Sequence, residues 1–193
     1  MEHLIEVALG QAPADILLRG ANVLNVFTGE VVQANVALAG ERIAGVGDYR
    51  EGRDIVDLTG SVIIPGLIDA HIHIESSMLT PPAFAQAVVP HGTTTVIADP
   101  HEIVNAAGQA GLEYMVKASQ NLPLDIYYQI PSCVPATYLE TAGAEIHAQD
   151  IARIWRDYPA SPGLGEMMNY LGVCQKDPSV LAKIKAAREA GKI

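Results

Sequence analysis

Four apolar, strand-like segments recur along residues 61–193 at intervals of about 30 residues, the length of one strand, one helix and their connections. They end at His71, Asp99, Ile130 and Glu166, and a stretch with helical periodicity follows each. Buried strands that alternate with helices predict βαβ units and a parallel sheet. Four units make the N-terminal half of a (β/α)8 TIM-type barrel, which we predict for residues 61–193. A self-contained four-stranded α/β domain is the alternative.

The elements of this half are predicted as follows. Strands are expected over 61–71, 93–98, 126–130 and 163–168, and helices from near Pro81, over 103–119, 144–158 and 178–190. A half barrel leaves unpaired edge strands, which folded proteins rarely tolerate. We therefore expect the chain to be the N-terminal part of a larger enzyme, or a subunit that another chain completes.

Residues 1–60 have a different pattern, with short apolar stretches that polar turns interrupt. The breaks at Thr28-Gly29-Glu30 and Ala39-Gly40-Glu41-Arg42 are typical of hairpins. They predict a small antiparallel, β-sandwich-like domain with an N-terminal tail. No catalytic cluster lies inside this segment, so we expect its role to be structural.

Composition restricts the partners. The chain carries 22 acidic and 12 basic residues, a formal net charge of -10, which argues against nucleic acid or an anionic membrane as a partner and favours a small molecule. The N-terminus lacks a basic signal region and no apolar run approaches about 20 residues, so a cytoplasmic location is expected. Cys133 and Cys174 are isolated, which predicts buried free thiols.

Two histidines end the first barrel strand. In an extended strand, residues i and i+2 share a face, so His71 and His73 could hold one metal ion while Ile72 packs. Any two histidines can also fall at this spacing and form only hydrogen bonds to neighbouring residues or solvent. The preceding Pro65-Gly66 turn and apolar strand favour a site, because α/β proteins place their chemistry at the C-terminal ends of strands.

Acidic and imidazole side chains at the other strand ends are expected to face the same mouth. Glu166 is predicted to be a third metal ligand, because a carboxylate can bridge two cations. Asp99, His101 and Glu102 lie around a proline that restricts the loop, and are predicted to bind substrate or orient ligands. Glu75 borders the same pocket. Helix capping remains open for Asp99, Glu102 and Glu75.

These residues carry a family resemblance. The run Pro65-Gly66-Leu67-Ile68-Asp69-Ala70-His71-Ile72-His73 resembles the first barrel strand of the amidohydrolase superfamily. The runs 71–81, 91–95 and 98–103 are similar to the adenine deaminases within it, and the likeness extends from about Ala14 to the end of the chain. A glutamate at Glu166, where many amidohydrolases carry a carboxylated lysine, favours the adenine deaminases over dihydroorotases or hydantoinases.

The resemblance implies an activity and a cofactor. The activity is hydrolytic deamination of adenine to hypoxanthine and ammonia, in purine salvage, by a homo-oligomeric enzyme acting on a purine base. The cofactor is two divalent metal ions, manganese or iron, with zinc as an alternative, on His71, His73 and Glu166. Further histidines and a strand 8 aspartate, the expected proton shuttle, would lie beyond residue 193, so the isolated chain should show little or no activity. A cyclic-amide hydrolase and a non-catalytic barrel half remain alternatives.

Overall fold

The computed structural model describes residues 1–192, and the chain divides into two compact units, Met1–Pro65 and Gly66–Ile193. The sequence interpretation placed this boundary at residue 60. The difference arises because Val62–Ile63 forms a short strand that pairs within the first unit instead of opening the barrel half. No helix within residues 1–192 is long and apolar enough to cross a membrane.

The first unit is a helix followed by one five-stranded sheet. Its elements are α1 (Glu2–Ala8), β1 (Ala14–Leu24), β2 (Val31–Ala39), β3 (Arg42–Gly47), β4 (Gly52–Asp57) and β5 (Val62–Ile63). The strand order is β3-β2-β1-β4, and β5 also pairs with β1. The two predicted turns form antiparallel hairpins, β1 with β2 and β2 with β3. Because β4 and β5 run parallel to β1, the prediction of a purely antiparallel domain is wrong.

A bulge in β1 lies between its two parallel pairings. The pairing register with β2 shifts between Leu18 and Ala21, and Gly20 has a left-handed φ of 77°. β1 pairs with β4 before the bulge and with β5 after it. The predicted N-terminal tail is in fact α1, whose Val7 is buried with Leu17. Residues 1–65 therefore form a single sheet with a helix packed on it, and contain no second layer of the predicted sandwich.

The second unit has three parallel strands in the order β6-β7-β8. Its strands are β6 (Leu67–Ile72), β7 (Thr93–Ala98) and β8 (Asp125–Tyr128), and its helices are α2 (Pro81–Val88), α3 (His101–Ala107), α4 (Gln109–Ala118), α5 (Ala148–Asp157), α6 (Tyr170–Cys174) and α7 (Pro178–Glu189). Short 3-10 helices occupy Glu75–Ser77 and Val89–His91. This is the alternating α/β order predicted from sequence, although residues 66–192 form no closed barrel.

The predicted fourth strand is reduced to a single parallel bridge, between Ile130 and Leu164. The Ile130 amide donates to the Gly163 carbonyl at 3.0 Å and the Gly165 amide to the Ile130 carbonyl at 2.7 Å. Residues 165–169 then have no regular secondary structure. Their backbone forms hydrogen bonds with side chains instead of with a neighbouring strand. The prediction of a strand over 163–168 is therefore wrong in extent, while its position beside the third strand is right.

The helices follow the sequence pattern, except that one is divided, the helix predicted over 144–158 spans Ala148–Asp157, and α6 is not predicted. The predicted helix over 103–119 splits into α3 and α4 at Gly108, where φ is 62° and the helical path is interrupted. α2 begins at Pro81, which is tolerated in a first helical turn. α7 begins at Pro178 in the same way, after Asp177 accepts bonds from two amides of the first turn.

The core of the second unit lies between the sheet and the helices. Val96 and Ala98 of β7 are fully buried, in one cluster with Leu112 of α4 and Ile151 of α5. The opposite face of the sheet is open, and Ile68 on β6 is 67% exposed. The C-terminal ends of the strands are thus held by a packed layer on one side only.

Replacing Ile151 with valine tests this core. Ile151 has no exposed surface, so loss of one methylene is expected to lower the free energy of unfolding by about 0.5–1.5 kcal/mol. Urea denaturation followed by circular dichroism measures the change. The same substitution at the exposed Ile68 should change stability by less than about 0.5 kcal/mol; equal losses at the two positions would place Ile151 outside the core.

Candidate metal centre

The two histidines predicted to share a face lie at the C-terminal end of β6. The Nε2 atoms of His71 and His73 are 3.1 Å apart. The Nδ1 atom of His73 lies 2.9 Å from the carbonyl oxygen of Asp99, which can only accept a hydrogen bond. A proton on His73 Nδ1 satisfies this carbonyl and leaves Nε2 facing His71 and Glu166.

Glu166 completes this cluster from the segment after the Ile130–Leu164 bridge. Its Oε1 atom lies 3.2 Å from His73 Nε2 and 3.7 Å from His71 Nε2. Glu166 is separated from the histidines by more than 90 residues of sequence, yet the three ligand atoms lie no more than 3.7 Å from one another. The structure thus brings together the three predicted ligands.

Asp99 directly follows β7 and contacts the cluster. It has no exposed surface, and its Oδ2 atom accepts a hydrogen bond from the Glu166 amide at 2.9 Å. Burial raises the pKa of its carboxyl group, although the His101 ring opposes that shift. Its other oxygen, Oδ1, has no hydrogen-bond partner within residues 1–192. Asp99 therefore contacts the cluster twice, through its side chain at the Glu166 amide and through its carbonyl oxygen at His73 Nδ1.

His101 and Glu102 begin α3 at the edge of the cluster. His101 Nδ1 lies 3.5 Å from Asp99 Oδ2 and 3.8 Å from Glu166 Oε1, and its ring is centred 4.5 Å from that of His73. Ligand atoms of His73, His101 and Glu102 form a second close group. Glu102 also accepts a hydrogen bond from Ser76. These two residues are placed where a substrate or a second ion could reach them.

Glu75 forms a hydrogen bond with the start of α3. In the 3-10 helix after β6, its Oε1 atom accepts a hydrogen bond from the Ile103 amide at 3.2 Å, in the first turn of α3. Burial raises the pKa of its carboxyl group. Glu75 belongs to none of the three sets of potential ligands found in residues 1–192. Its hydrogen bond to the Ile103 amide is the helix capping that the sequence left open.

Sequence reasoning missed two residues that hold the Glu166 segment. Ser132 and Cys133 follow the third strand, and both contact backbone atoms next to Glu166. The only signal for these two residues in the sequence is the apolar run before Pro131-Ser132-Cys133. The sequence predicts no more than that Cys133 is an isolated, buried thiol. Cys133 is indeed buried, whereas Cys174 is exposed, so the prediction of two buried thiols is wrong for Cys174.

The family follows from comparison with known proteins. The family model described as "Amidohydrolase family" matches residues 62–193. The chain belongs to the amidohydrolase family. The match begins just before β6 and includes every residue of the cluster described above.

The curated relatives of this amidohydrolase chain are similar along its whole length. A protein of Dehalococcoides mccartyi strain CBDB1 named adenine deaminase is 54% identical over 193 residues, which are 100% of this chain and 33% of that protein. One of Kosmotoga olearia with the same name is 51% identical over 185 residues, 96% of this chain and 32% of that protein. The chain thus spans about a third of the length of these relatives.

Solved structures share the fold of this amidohydrolase chain. N-acyl-D-glutamate deacylase from Bordetella bronchiseptica, solved with zinc and a phosphonate inhibitor, has a TM-score of 0.67 at 16% identity, over 94% of this chain and 44% of that one. Dihydropyrimidinase from Brevibacillus agri has a TM-score of 0.63 at 15% identity, over 91% and 38%. At these identities the likeness concerns the fold alone.

The donor set of the amidohydrolase cluster fits a divalent metal ion. Two imidazole nitrogens and a carboxylate oxygen suit zinc, iron or manganese. Ligand atoms bound to one ion at 2.0–2.2 Å lie roughly 3–3.6 Å apart, close to the 3.1, 3.2 and 3.7 Å measured here. The Nε2 atoms of His71 and His73 face each other, and a shared cation or proton must stabilise such a pair of nitrogens.

Proposed function

We propose that this amidohydrolase chain contributes the N-terminal, metal-binding part of an adenine deaminase, which hydrolyses adenine to hypoxanthine and ammonia. The observation that carries the proposal is the convergence of His71, His73 and Glu166 at the strand ends. The curated relatives named adenine deaminase support the choice of substrate. The proposed substrate is a small purine base. The net charge of -10 on this chain disfavours binding of nucleic acid.

The proposed cofactor is a pair of divalent ions, manganese or iron, with zinc as the alternative. His71, His73 and Glu166 would hold them, and the Glu166 carboxylate has two oxygens with which to bridge two ions. When bound, such ions acidify water enough to supply a hydroxide nucleophile at neutral pH. The remaining ligands are proposed to come from barrel strands outside residues 1–193.

The residues around the cluster have proposed roles in orientation and proton transfer. The hydrogen bond from His73 Nδ1 to the Asp99 carbonyl fixes the ring so that Nε2 faces the cluster. Addition of water to the carbon that bears the amine, and loss of ammonia, require proton transfers to the ring and to the leaving group. His101 Nδ1, between Asp99 and Glu166, can hold one of these protons; a strand 8 aspartate is the proposed shuttle for the other.

Glu102 and Glu75 complete the proposed arrangement. Glu102 begins α3 next to His101, and its Oε2 atom is buried without a hydrogen-bond partner in the described part of the chain. Such an atom favours contact with a substrate or a cation. Glu75 is proposed to act indirectly, by fixing the first turn of α3 through the Ile103 amide. The complete enzyme is proposed to be a cytoplasmic homo-oligomer that binds neither nucleic acid nor membranes.

A substrate comparison tests the proposed activity. The polypeptide that extends this chain to the length of its relatives would be loaded with Mn²⁺ or Fe²⁺ and assayed for release of ammonia from adenine. We expect turnover of adenine and none of dihydroorotate or hydantoin. Opening of a cyclic amide with no loss of adenine would favour the second candidate, a cyclic-amide hydrolase. Inactivity on all three would contradict both candidate activities.

The 193-residue chain alone is expected to show little or no deaminase activity. Only three of the proposed ligands lie within it, and the open face of the sheet leaves the cluster accessible to water. The measurement is ammonia release from adenine by a preparation whose mass matches these residues alone. If this preparation turned over adenine at the rate of the longer polypeptide, the proposal that further ligands lie outside residues 1–193 would be wrong.

A further inference from the structure

The segment that carries Glu166 is held without a strand. Residues 165–169 follow the single bridge at Leu164 and adopt no regular secondary structure before α6 begins at Tyr170. A side chain that must stay within about 4 Å of two histidines needs its backbone fixed by other means. Three side chains supply hydrogen bonds to this backbone: Asp99 to the Glu166 amide, and Ser132 and Cys133 beyond it.

Ser132 and Cys133 contact the backbone on the C-terminal side of Glu166. The Ser132 hydroxyl donates to the carbonyl oxygen of Glu166, at 2.5 Å. The Cys133 Sγ atom accepts a hydrogen bond from the Met168 amide at 3.0 Å, and lies 3.4 Å from the same Glu166 carbonyl. Together with the Asp99 contact, these bonds fix the peptide groups before and after Glu166.

The pair is well placed to keep a fixed geometry. Ser132 is 1% exposed and Cys133 is 4% exposed, so water competes little for their hydrogen bonds. Lys183 of α7 donates to the Ser132 carbonyl at 2.7 Å, which ties this turn to a long helix. The contacts with residues 166–168 span more than 30 residues of sequence and replace the ladder that a fourth strand would provide.

We infer that Ser132 and Cys133 are positioning residues that hold the Glu166 carboxylate beside His73. They touch neither the histidines nor the ligand atoms, and act through the peptide groups of residues 166–168. The inference rests on the proposed function, because it assigns a purpose to the position of Glu166. Partners that orient metal ligands typically contribute about 10- to 100-fold to metal affinity.

The test measures Mn²⁺ binding and amide exchange on the same variants. Mn²⁺ affinity is read from the electron paramagnetic resonance signal of the free ion, with the polypeptide that extends this chain to the length of its relatives as the protein. We expect Cys133→Ala and Ser132→Ala each to weaken Mn²⁺ binding by about 10-fold or more. In the metal-free chain, Cys133→Ala should speed hydrogen exchange of the Met168 amide about fivefold, the factor lost with one ordinary hydrogen bond.

Two further variants separate positioning from general destabilisation. Cys133→Ser keeps an acceptor at this position and should restore most of the Mn²⁺ affinity and the Met168 protection. Cys174→Ala, at the exposed cysteine, should change neither. Unchanged Mn²⁺ affinity in both Cys133→Ala and Ser132→Ala would overturn the inference, as would a loss in Cys133→Ser equal to that in Cys133→Ala. Failure of the unsubstituted longer polypeptide to bind Mn²⁺ would instead refute the proposed function, and Met168 exchange would then decide whether the segment is held as described.

Discussion

Replacing His73 with alanine is expected to lower the Mn²⁺ affinity of the chain by more than about 100-fold, since partners that merely orient ligands already cost 10- to 100-fold. His73 makes the closest approach to Glu166, at 3.2 Å, and to His71, at 3.1 Å. Its removal leaves one imidazole and one carboxylate, which hold a divalent ion poorly. In the longer polypeptide the same substitution should abolish adenine deamination.

A matched substitution controls for the loss of a histidine as such. His91 is exposed, in the 3-10 helix before β7, and His91→Ala should leave Mn²⁺ affinity within about twofold of the original, as expected of a surface change remote from the site. Both variants should retain the circular dichroism spectrum of the unsubstituted chain. Equal affinity of His73→Ala and the original chain would remove His73 from the metal centre.

Replacing Gly165 with alanine is expected to damage the site although glycine carries no functional group. A Cβ atom at this position would overlap the carboxylate of Asp99, which is fully buried and unable to move aside freely. Forcing extra volume into packed structure costs typically 1–3 kcal/mol. The displaced Asp99 would also lose its bond to the Glu166 amide, so both the unfolding free energy and the Mn²⁺ affinity should fall.

A double-mutant cycle isolates the contact between Gly165 and Asp99. Asp99→Ala removes the carboxylate that the new methyl group would meet, so Gly165→Ala should cost less in that background than in the original chain. We expect a coupling energy of about 0.5–3 kcal/mol, the range for residues in contact. Urea denaturation of the four proteins supplies the values. Strict additivity would show that the cost of Gly165→Ala arises elsewhere.

The positions of the strand ends were predictable from the sequence because they depend on local periodicity. An extended strand that ends at Ile72 places the flanking His71 and His73 on one face whatever the rest of the chain does. Parallel strands then bring their C-terminal ends to one edge, which is why Glu166 and Asp99 could be assigned to the same mouth. The position of α7 after Pro178 was predictable on similar local grounds.

The features that sequence could not predict depend on contacts between distant segments. The strand Val62–Ile63 looked like the start of the barrel, because nothing local shows that it pairs with Asn22 and Val23. The irregular path after Leu164 likewise depends on side chains from Ser132 and Cys133, which no periodicity connects to Glu166. Glu75 follows the histidine pair closely, yet its backbone turns into a 3-10 helix and directs it towards α3.

Anomalous X-ray diffraction from crystals of the chain grown with Mn²⁺ tests the central claim most directly. The account predicts an anomalous peak between His71 Nε2, His73 Nε2 and Glu166 Oε1, at about 2.0–2.3 Å from each, the range for divalent ions with these donors. A peak only at other acidic residues, with the three side chains free of metal, would contradict it.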